Sequence, residues 1–298
     1  MIVVSTTGRS QVRYESPTSI REAVALMAAA KGDAYLLAGG TDLLVRIRGE
    51  FIDPDLVVDI KRIPAVQNIR KTASGFSIGA VVPCAALGRN KPLVRAWPGV
   101  VEAAQLIGSD QIQGRCTIAG NLCNASPAAD SVPALVAAKA QAVVAGPGGR
   151  RRIAVEKIVT GPGTTSLEKG DIVEAIVLPN RPAKSGDAYL RFIPRSEMDI
   201  AVCSAGVSLT LGPRNVVKQA RVALGAVAPT VVLVPKAARA LIGTRLEDDA
   251  LMKLTAACEA ACSPIDDKRG TVEFRTEVAA VLARRAAAIA YDRARRKR

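Results

Sequence analysis

The chain has 298 residues, 49% of them hydrophobic and 23% charged, which is the composition of a globular protein with two or three compact units. It contains no histidine, and this excludes a Ser-His-Asp triad and a histidine-bound metal. The net charge of +14 suggests a polyanion partner, but aromatic residues that would stack on bases make up only 3% of the chain. We therefore expect no nucleic acid partner, and a solvated basic surface or an acidic protein partner explains the charge.

The cysteines and the N-terminal stretch indicate the cellular compartment of the protein and whether the chain holds an iron–sulfur cluster. None of the six cysteines forms a C-x-x-C pair, so we expect reduced thiols and no iron–sulfur cluster in this chain. The N-terminal stretch MIVVSTTGRSQVRYESP lacks the apolar region of a signal peptide, and charge or glycine interrupts every long apolar run. We expect a cytoplasmic protein without a membrane span.

The first 60 residues predict a small α/β unit. In SPTSIREAVALMAAAKG, Ser19 and Glu22 have capping-box spacing, and Gly32 stands where a C-cap is expected. The strand AYLLAGG follows, then a short helix from about Asp42 in DLLVRIRG, then the strand PDLVVDI. Strands that alternate with helices favour parallel pairing.

Residues 61–178 predict a second α/β unit, richer in antiparallel pairs, with strands in GFSIGAVVP, QAVVAG, RRIAVEKI and DIVEAIVLP. Prolines and a glycine at 179–186 indicate a linker. In residues 187–298, three strand-like segments precede three helices, which predicts a three-stranded antiparallel sheet covered by a helical bundle. The predicted fold class is α+β.

The stretch LLAGGTD puts a glycine turn directly after an apolar run that has the pattern of a strand. Gly39 and Gly40 permit positive φ and close approach of another backbone or a ligand, and successive amides can bind an anion. Thr41 adds a hydroxyl, and Asp42 can cap the next helix or accept from a ligand hydroxyl. Taken alone, such a stretch is more often only a turn.

A second turn, TIAGNLCNASPAAD, has the same small, polar character and also follows an apolar run that has the pattern of a strand. Thr117, Ala119, Gly120 and Asn121 form its corner, and Asp130 stands at a predicted helix start, where it either caps the helix or binds a ligand. Two such turns in adjoining units predict one extended, pyrophosphate-containing ligand held between them.

Three stretches together resemble the FAD-binding subunit of the molybdenum hydroxylases, the family that includes xanthine dehydrogenase, carbon monoxide dehydrogenase and 4-hydroxybenzoyl-CoA reductase. They are AGGTDL at 38–43, TIAGNLCNASPAAD at 117–130 and RSEMDIAVCSAGV at 195–207, in the family's order. The resemblance implies a two-subdomain FAD-binding domain of the vanillyl-alcohol-oxidase (PCMH) type at 1–178, followed by the family's C-terminal domain.

The resemblance also implies the cofactor contacts. The diphosphate and its neighbourhood would meet two groups of residues: Ala38, Gly39, Gly40, Thr41 and Asp42, and Thr117, Ile118, Ala119, Gly120 and Asn121. Asp130 would lie on the adenosine side, Ile107, Val173 and Arg191 would make further contacts, and Ile200 would pack near the isoalloxazine ring. The family usually has Gly-Gly where this chain has Ala119-Gly120, so the Ala119 methyl is expected to tighten or shift the approach of the diphosphate.

By the same resemblance the chain binds FAD non-covalently and transfers electrons, with no catalytic residue or metal ligand of its own. Molybdopterin would lie on a large subunit and two [2Fe–2S] clusters on a small subunit, in a dimer of heterotrimers. Two alternatives stay open from the residues alone: a self-contained flavin oxidoreductase, which needs an acid or base beside the flavin, and a basic interaction protein without a cofactor.

Overall fold

The structure, a computed structural model, describes residues 12–296 of the chain. Its first unit is a three-stranded sheet in the order β1–β3–β2, and both strand pairs are parallel, as predicted. The elements are β1 (Arg13–Glu15), α1 (Ile20–Ala29), β2 (Ala34–Leu37), α2 (Leu43–Arg48) and β3 (Leu56–Asp59). Residues 1–11 of the predicted first unit lie outside the described residues.

Helix α1 begins as the sequence predicts but ends differently. The Ser19 hydroxyl accepts the Glu22 amide hydrogen at 3.2 Å, while the Glu22 carboxylate accepts the amide of Thr18. The expected C-cap at Gly32 is wrong, because the helix stops at Ala29. A Cβ added at Gly32 would lie 1.9 Å from a carboxylate oxygen of Asp55, so this glycine makes room for that side chain.

The second unit is built around a five-stranded antiparallel sheet in the order β4–β5–β10–β6–β7. Its central strand, β10, carries the fully buried Ile172, Ile176 and Leu178, which explains why DIVEAIVLP has a continuous apolar pattern. The elements are β4 (Ile69–Thr72), β5 (Gly75–Gly79), α3 (Cys84–Arg89), α4 (Lys91–Ala96), α5 (Pro98–Gln105), α6 (Asp110–Gln113), α7 (Ile118–Cys123), α8 (Ser131–Ala137), β6 (Gln141–Gly146), β7 (Gly149–Ala154), β8 (Val159–Gly161), β9 (Thr164–Thr165) and β10 (Ile172–Pro179).

The C-terminal part contains the three long antiparallel strands predicted from the sequence, extended at one edge by a two-residue strand that was not predicted. Its elements are β11 (Ser185–Phe192), β12 (Cys203–Leu211), β13 (Val217–Gly225), β14 (Val232–Leu233), α9 (Pro235–Leu241), α10 (Asp248–Glu259) and α11 (Val272–Arg296). Helix α11 packs an alanine-rich face against the sheet formed by β11, β12 and β13. At Gly186 an added Cβ would lie 1.8 Å from the Ala290 carbonyl oxygen, so backbone meets backbone there.

The second unit and the C-terminal part are in direct contact through helix α8. A Cβ added at Gly206 would lie 2.6 Å from the Pro133 carbonyl oxygen, and one added at Gly225 would lie 2.7 Å from the Pro133 ring. Strands β10 and β11 leave only residues 180–184 between them. The helix therefore sits in a groove that two glycines keep free of side chains.

Between residues 12 and 296, no helix is both long enough and apolar enough to cross a membrane.

Candidate cofactor cleft

A cleft of about 610 Å³ lies where the first unit meets the second. Both glycine-containing turns reach it, together with Ile107, which follows α5, and Val173 of β10. Ten of the residues predicted for the site line its wall: Ala38, Gly39, Gly40, Thr41, Asp42, Ile107, Thr117, Gly120, Asn121 and Val173.

The first turn connects β2 to α2, and each of its glycines has a conformational or packing reason. Gly40 has a φ of +79°, a region that side chains disfavour. A Cβ at Gly39 would lie 2.3 Å from the carbonyl oxygen of Arg115, in the segment just before the second turn. The close approach that Gly39 permits is therefore to the protein's own backbone, and it brings the two turns together.

The amides of this turn are available to a ligand. Four backbone N–H groups have no hydrogen-bond acceptor within residues 12–296: those of Gly39, Gly40, Thr41 and Asp42. Successive amides without a protein acceptor form a binding place for an anion such as a phosphate. Asp42 precedes α2 but its side chain does not cap the helix.

The second turn is the start of helix α7, and the strand expected before it is absent from the described fold. The Thr117 hydroxyl caps the helix by accepting the Gly120 amide hydrogen at 2.9 Å. A Cβ added at Gly120 would meet only that hydroxyl, at 3.0 Å, and otherwise open space. Because Gly120 lines the cleft, its missing side chain leaves room for a ligand.

Side chains next to the second turn fix its position. The Asn121 side-chain oxygen accepts the Ser131 hydroxyl at 2.6 Å and the Ser131 amide at 3.1 Å, which ties α7 to the start of α8. The Asn124 amide donates to the Asp42 carboxylate at 3.2 Å and so connects the second turn to the first.

Asp130 stands at the N-terminus of α8, but its carboxylate makes no capping hydrogen bond, so the capping interpretation is wrong. It accepts instead from the Tyr189 hydroxyl at 3.1 Å and from Arg191 Nη1 at 2.8 Å. Burial raises the pKa of Asp130, and the charge and hydrogen bonds of Arg191 and Tyr189 offset this only in part. This buried ion pair joins α8 to β11, and neither partner is part of the cleft wall.

Three further predicted residues also lie away from the wall. Ile118 and Ala119 are buried in the main hydrophobic core, with Ala119 only 3% exposed, so its methyl group points into protein and does not narrow the cleft. Ile200 is 51% exposed on the segment between β11 and β12. Contacts of these residues, and of Asp130 and Arg191, with FAD remain predictions.

Sequence reasoning missed one wall of the cleft. The segment from Thr165 to Asp171 lines it, together with Met27, Tyr35 and Cys116. Lys169 donates to the Ala30 carbonyl oxygen, and Asp171 pairs with Arg151. Sheet pairing of β10 brings this segment to the first unit from far along the chain, so no local motif marks it.

The cleft between the first and second units, with two turns of small residues in its wall, suits an extended, phosphate-containing ligand. Residues 10–181 match the family described as the FAD binding domain in molybdopterin dehydrogenase, and residues 188–290 match the CO dehydrogenase flavoprotein C-terminal domain. The chain belongs to this family of FAD-binding medium subunits of molybdenum hydroxylases, and it is an oxidoreductase subunit.

Individual relatives align with this chain over almost its whole length. The carbon monoxide dehydrogenase medium chain of Afipia carboxidovorans is 35% identical over 283 residues, which cover 95% of this chain and 97% of that one. The medium chain from Hydrogenophaga pseudoflava is 33% identical over 281 residues, or 94% and 97% of the two chains. A reconstituted CO dehydrogenase from Oligotropha carboxidovorans matches with a TM-score of 0.91 at 32% identity, covering 96% of this chain and 100% of that chain.

The residues of the cleft fit the family's cofactor, FAD. The amides of residues 39–42, which have no acceptor within residues 12–296, suit a diphosphate, and Gly120 leaves open space in the same cleft wall. Family membership overturns the alternative of an interaction protein without a cofactor.

Proposed function

We propose that this chain binds FAD non-covalently in the cleft and passes electrons from iron–sulfur clusters on a partner subunit to an external acceptor. The observation that carries the proposal is that one cleft is lined both by Gly120, which leaves open space, and by the turn whose four amides have no acceptor within residues 12–296. The relatives' designation as medium chains of carbon monoxide dehydrogenase supports a place in a multi-subunit complex.

The chain's own residues have binding and positioning roles. The amides of Gly39 to Asp42 would hold the diphosphate. The Thr41 hydroxyl lies in the same wall and donates to the Asp42 carboxylate at 3.5 Å. Thr117 holds the start of α7, so Gly120 keeps its hydrogen toward the ligand. When bound, FAD supplies the redox chemistry, so the protein needs no acid or base for it. Ile107 and Val173 contribute apolar wall, which excludes water from part of the cleft.

The proposed partners are a small iron–sulfur subunit and a large molybdopterin subunit, assembled as a dimer of heterotrimers in the cytoplasm. The net charge of +14 favours docking to a more acidic subunit. A self-contained flavin oxidoreductase would need a free acid or base at the cleft. Of the four carboxylates that line the cleft, Asp42 and Asp171 are engaged by Asn124 and Arg151. Such an enzyme would therefore have to use Asp33 or Glu168.

The test is reconstitution in two stages. The purified chain is titrated with FAD, and binding is followed by quenching of flavin fluorescence; a chain that takes up no FAD overturns the proposal. The tagged chain is then co-purified with its partners, and the complex is reduced by substrate. We expect flavin bleaching in the complex and none in the isolated chain. Substrate turnover by the isolated chain would instead support the self-contained oxidoreductase.

A further inference from the structure

Two cysteines that the proposed function does not use lie against each other behind the cleft. Cys84 is the first residue of α3, and Cys116 directly precedes the second turn. The Cys84 amide donates to the Cys116 carbonyl oxygen at 2.9 Å, and the two thiols lie close enough for each to shift the pKa of the other. Both are free thiols, with exposed fractions of 0% for Cys84 and 3% for Cys116. A backbone hydrogen bond of this length holds the two Cα atoms within the separation that a disulfide spans.

The pair is connected to solvent through the cofactor cleft. Cys116 lines the cleft, whereas Cys84 lies behind it in the hydrophobic core. A Cβ at Gly39 would lie 3.0 Å from the Cys116 Cα, so the first turn packs tightly over this residue. Of these two cysteines, a small solute therefore meets Cys116 first, and it does so from the space that the cofactor would occupy. The exposed Cys123 also lines this cleft.

The two thiols differ in reactivity. The neighbouring Cys84 thiol lowers the pKa of Cys116, whereas the Cys116 thiol, together with burial, raises the pKa of Cys84. Because the thiolate is the attacking species, Cys116 is the nucleophile and Cys84 the resolving thiol. The cleft-facing position of Cys116 agrees with this order.

We propose that Cys84 and Cys116 form an oxidative modification site: hydrogen peroxide entering the empty cleft converts the pair to a disulfide, and bound cofactor blocks the reaction. The protection by cofactor rests on the proposed function, whereas the disulfide itself does not.

The chemistry balances in two steps. The Cys116 thiolate attacks one peroxide oxygen; the O–O bond breaks, hydroxide leaves and takes up a proton as water, and Cys116 becomes a sulfenic acid. The Cys84 sulfur then attacks the Cys116 sulfur; the S–S bond forms, the S–O bond breaks, and the departing hydroxide takes the Cys84 proton as a second water. Two thiols are oxidised by two electrons and one peroxide is reduced.

Tryptic peptides make the product directly detectable. Cleavage after Lys71, Arg89, Arg115 and Lys139 places Cys84 in peptide 72–89 and Cys116 in peptide 116–139. The exposed Cys123 shares the second peptide, so the experiment uses the full chain with Cys123→Ser. The flavin-free protein is treated with peroxide, alkylated, digested and analysed by mass spectrometry without reduction.

We expect peptides 72–89 and 116–139 to appear linked, and to separate after dithiothreitol treatment. Cys84→Ser should abolish the link and leave a Cys116 sulfenic acid that dimedone traps. Cys258→Ser is the matched control and should leave the link unchanged, because Cys258 is buried in the core of the C-terminal part, whereas Cys84 and Cys116 belong to the other core. Absence of the linked peptide from the folded, peroxide-treated chain overturns the proposal.

A second arm repeats the oxidation after saturation with FAD, with binding measured separately by fluorescence quenching. We expect the yield of linked peptide to fall in proportion to the fraction of chain that holds FAD. An unchanged yield in protein shown to hold FAD overturns the protection. Failure to bind FAD would overturn the proposed function, while the linked peptide in the same sample would still decide whether the disulfide forms.

Discussion

Asn124 donates a hydrogen bond to Asp42 at 3.2 Å across 82 residues of sequence. The contact joins the loop after α7 to the turn before α2, and it reinforces the backbone contact between Gly39 and Arg115. The two turns therefore form one continuous wall of the cleft, although the sequence separates them widely.

Removing this contact should loosen the wall. We expect Asn124→Ala to weaken FAD binding by about 0.5–1.5 kcal/mol, the usual net contribution of one hydrogen bond. Asn124→Asp should weaken it further at neutral pH, because two carboxylates would then face each other, and the loss should diminish in mildly acidic buffer as one of them takes up a proton. Fluorescence titrations at the two pH values check this. Equal affinity of all three proteins would show that the contact does not affect the cleft.

Gly120→Val tests the space for the ligand. The new side chain would project toward the cleft, with only the Thr117 hydroxyl close to it, so the fold should remain intact while FAD affinity falls by at least about tenfold, or about 1.4 kcal/mol. The ratio of flavin to protein, read by absorbance, measures the effect. Gly148→Val is the control, since a Cβ there meets nothing within 4 Å and the residue lies in the β6–β7 turn. Full flavin content in Gly120→Val would contradict the assignment of this cleft.

Gly39→Ala should act on the protein rather than on the ligand. The added methyl would lie 2.3 Å from the Arg115 carbonyl oxygen, and we expect a loss of about 1–3 kcal/mol in the free energy of unfolding from overpacking. Urea unfolding of the flavin-free chain is the measurement. Unchanged stability without FAD would mean that Gly39 serves only ligand access.

Replacing either member of the buried ion pair, Asp130 or Arg191, should lower the free energy of unfolding. We expect Asp130→Asn or Arg191→Met to destabilise the fold by about 3–5 kcal/mol, because each change leaves one buried group without its partner. The double variant should lose less than the sum of the two. Urea unfolding gives the energies. Flavin content measured under conditions where the variants stay folded decides whether Asp130 also binds FAD, since a purely structural role leaves it unchanged.

Asp59 should give part of the stability a pH dependence. Burial, the largest effect, would raise its pKa, but hydrogen bonds from Lys61 and Tyr14 outweigh it and lower the pKa. An acid with a lowered pKa stabilises the fold above its unfolded pKa, and this stability is lost as the pH falls through the folded value. The difference in unfolding free energy between the original chain and Asp59→Asn should therefore shrink below about pH 4. A difference independent of pH would contradict this role.

Much of the fold could be predicted because local patterns agree with the final contacts. The cap at Ser19 sets the start of α1, and the continuous apolar run of β10 reflects burial on both faces. Helix α7 could not be predicted, because it has six residues, among them a glycine and an asparagine, which favour helix weakly. Strand β14 has two residues, too few for any period.

The residues of the candidate site could be predicted where a turn has a recognisable local sequence. They could not be predicted where folding brings a residue to the site from a distant part of the chain. Gly40 and Thr117 belong to recognisable local stretches and reach the cleft. The partners of Asp130 come from β11, about 60 residues further on, so its role in an ion pair had no local sign. The sequence likewise marks Cys116 only as an incidental thiol, because it is the fold that brings Cys84 next to it.

The groove that Gly206 and Gly225 open for Pro133 bears on how such subunits can be recombined. The break between the two family matches, at residues 181 and 188, invites an exchange of C-terminal parts between relatives. A donor sheet with any side chain at either glycine position would collide with α8, whose first residue, Ser131, hydrogen-bonds to Asn121 at the cleft. A chimera would inherit a working cofactor cleft only if its donor has glycine at both positions.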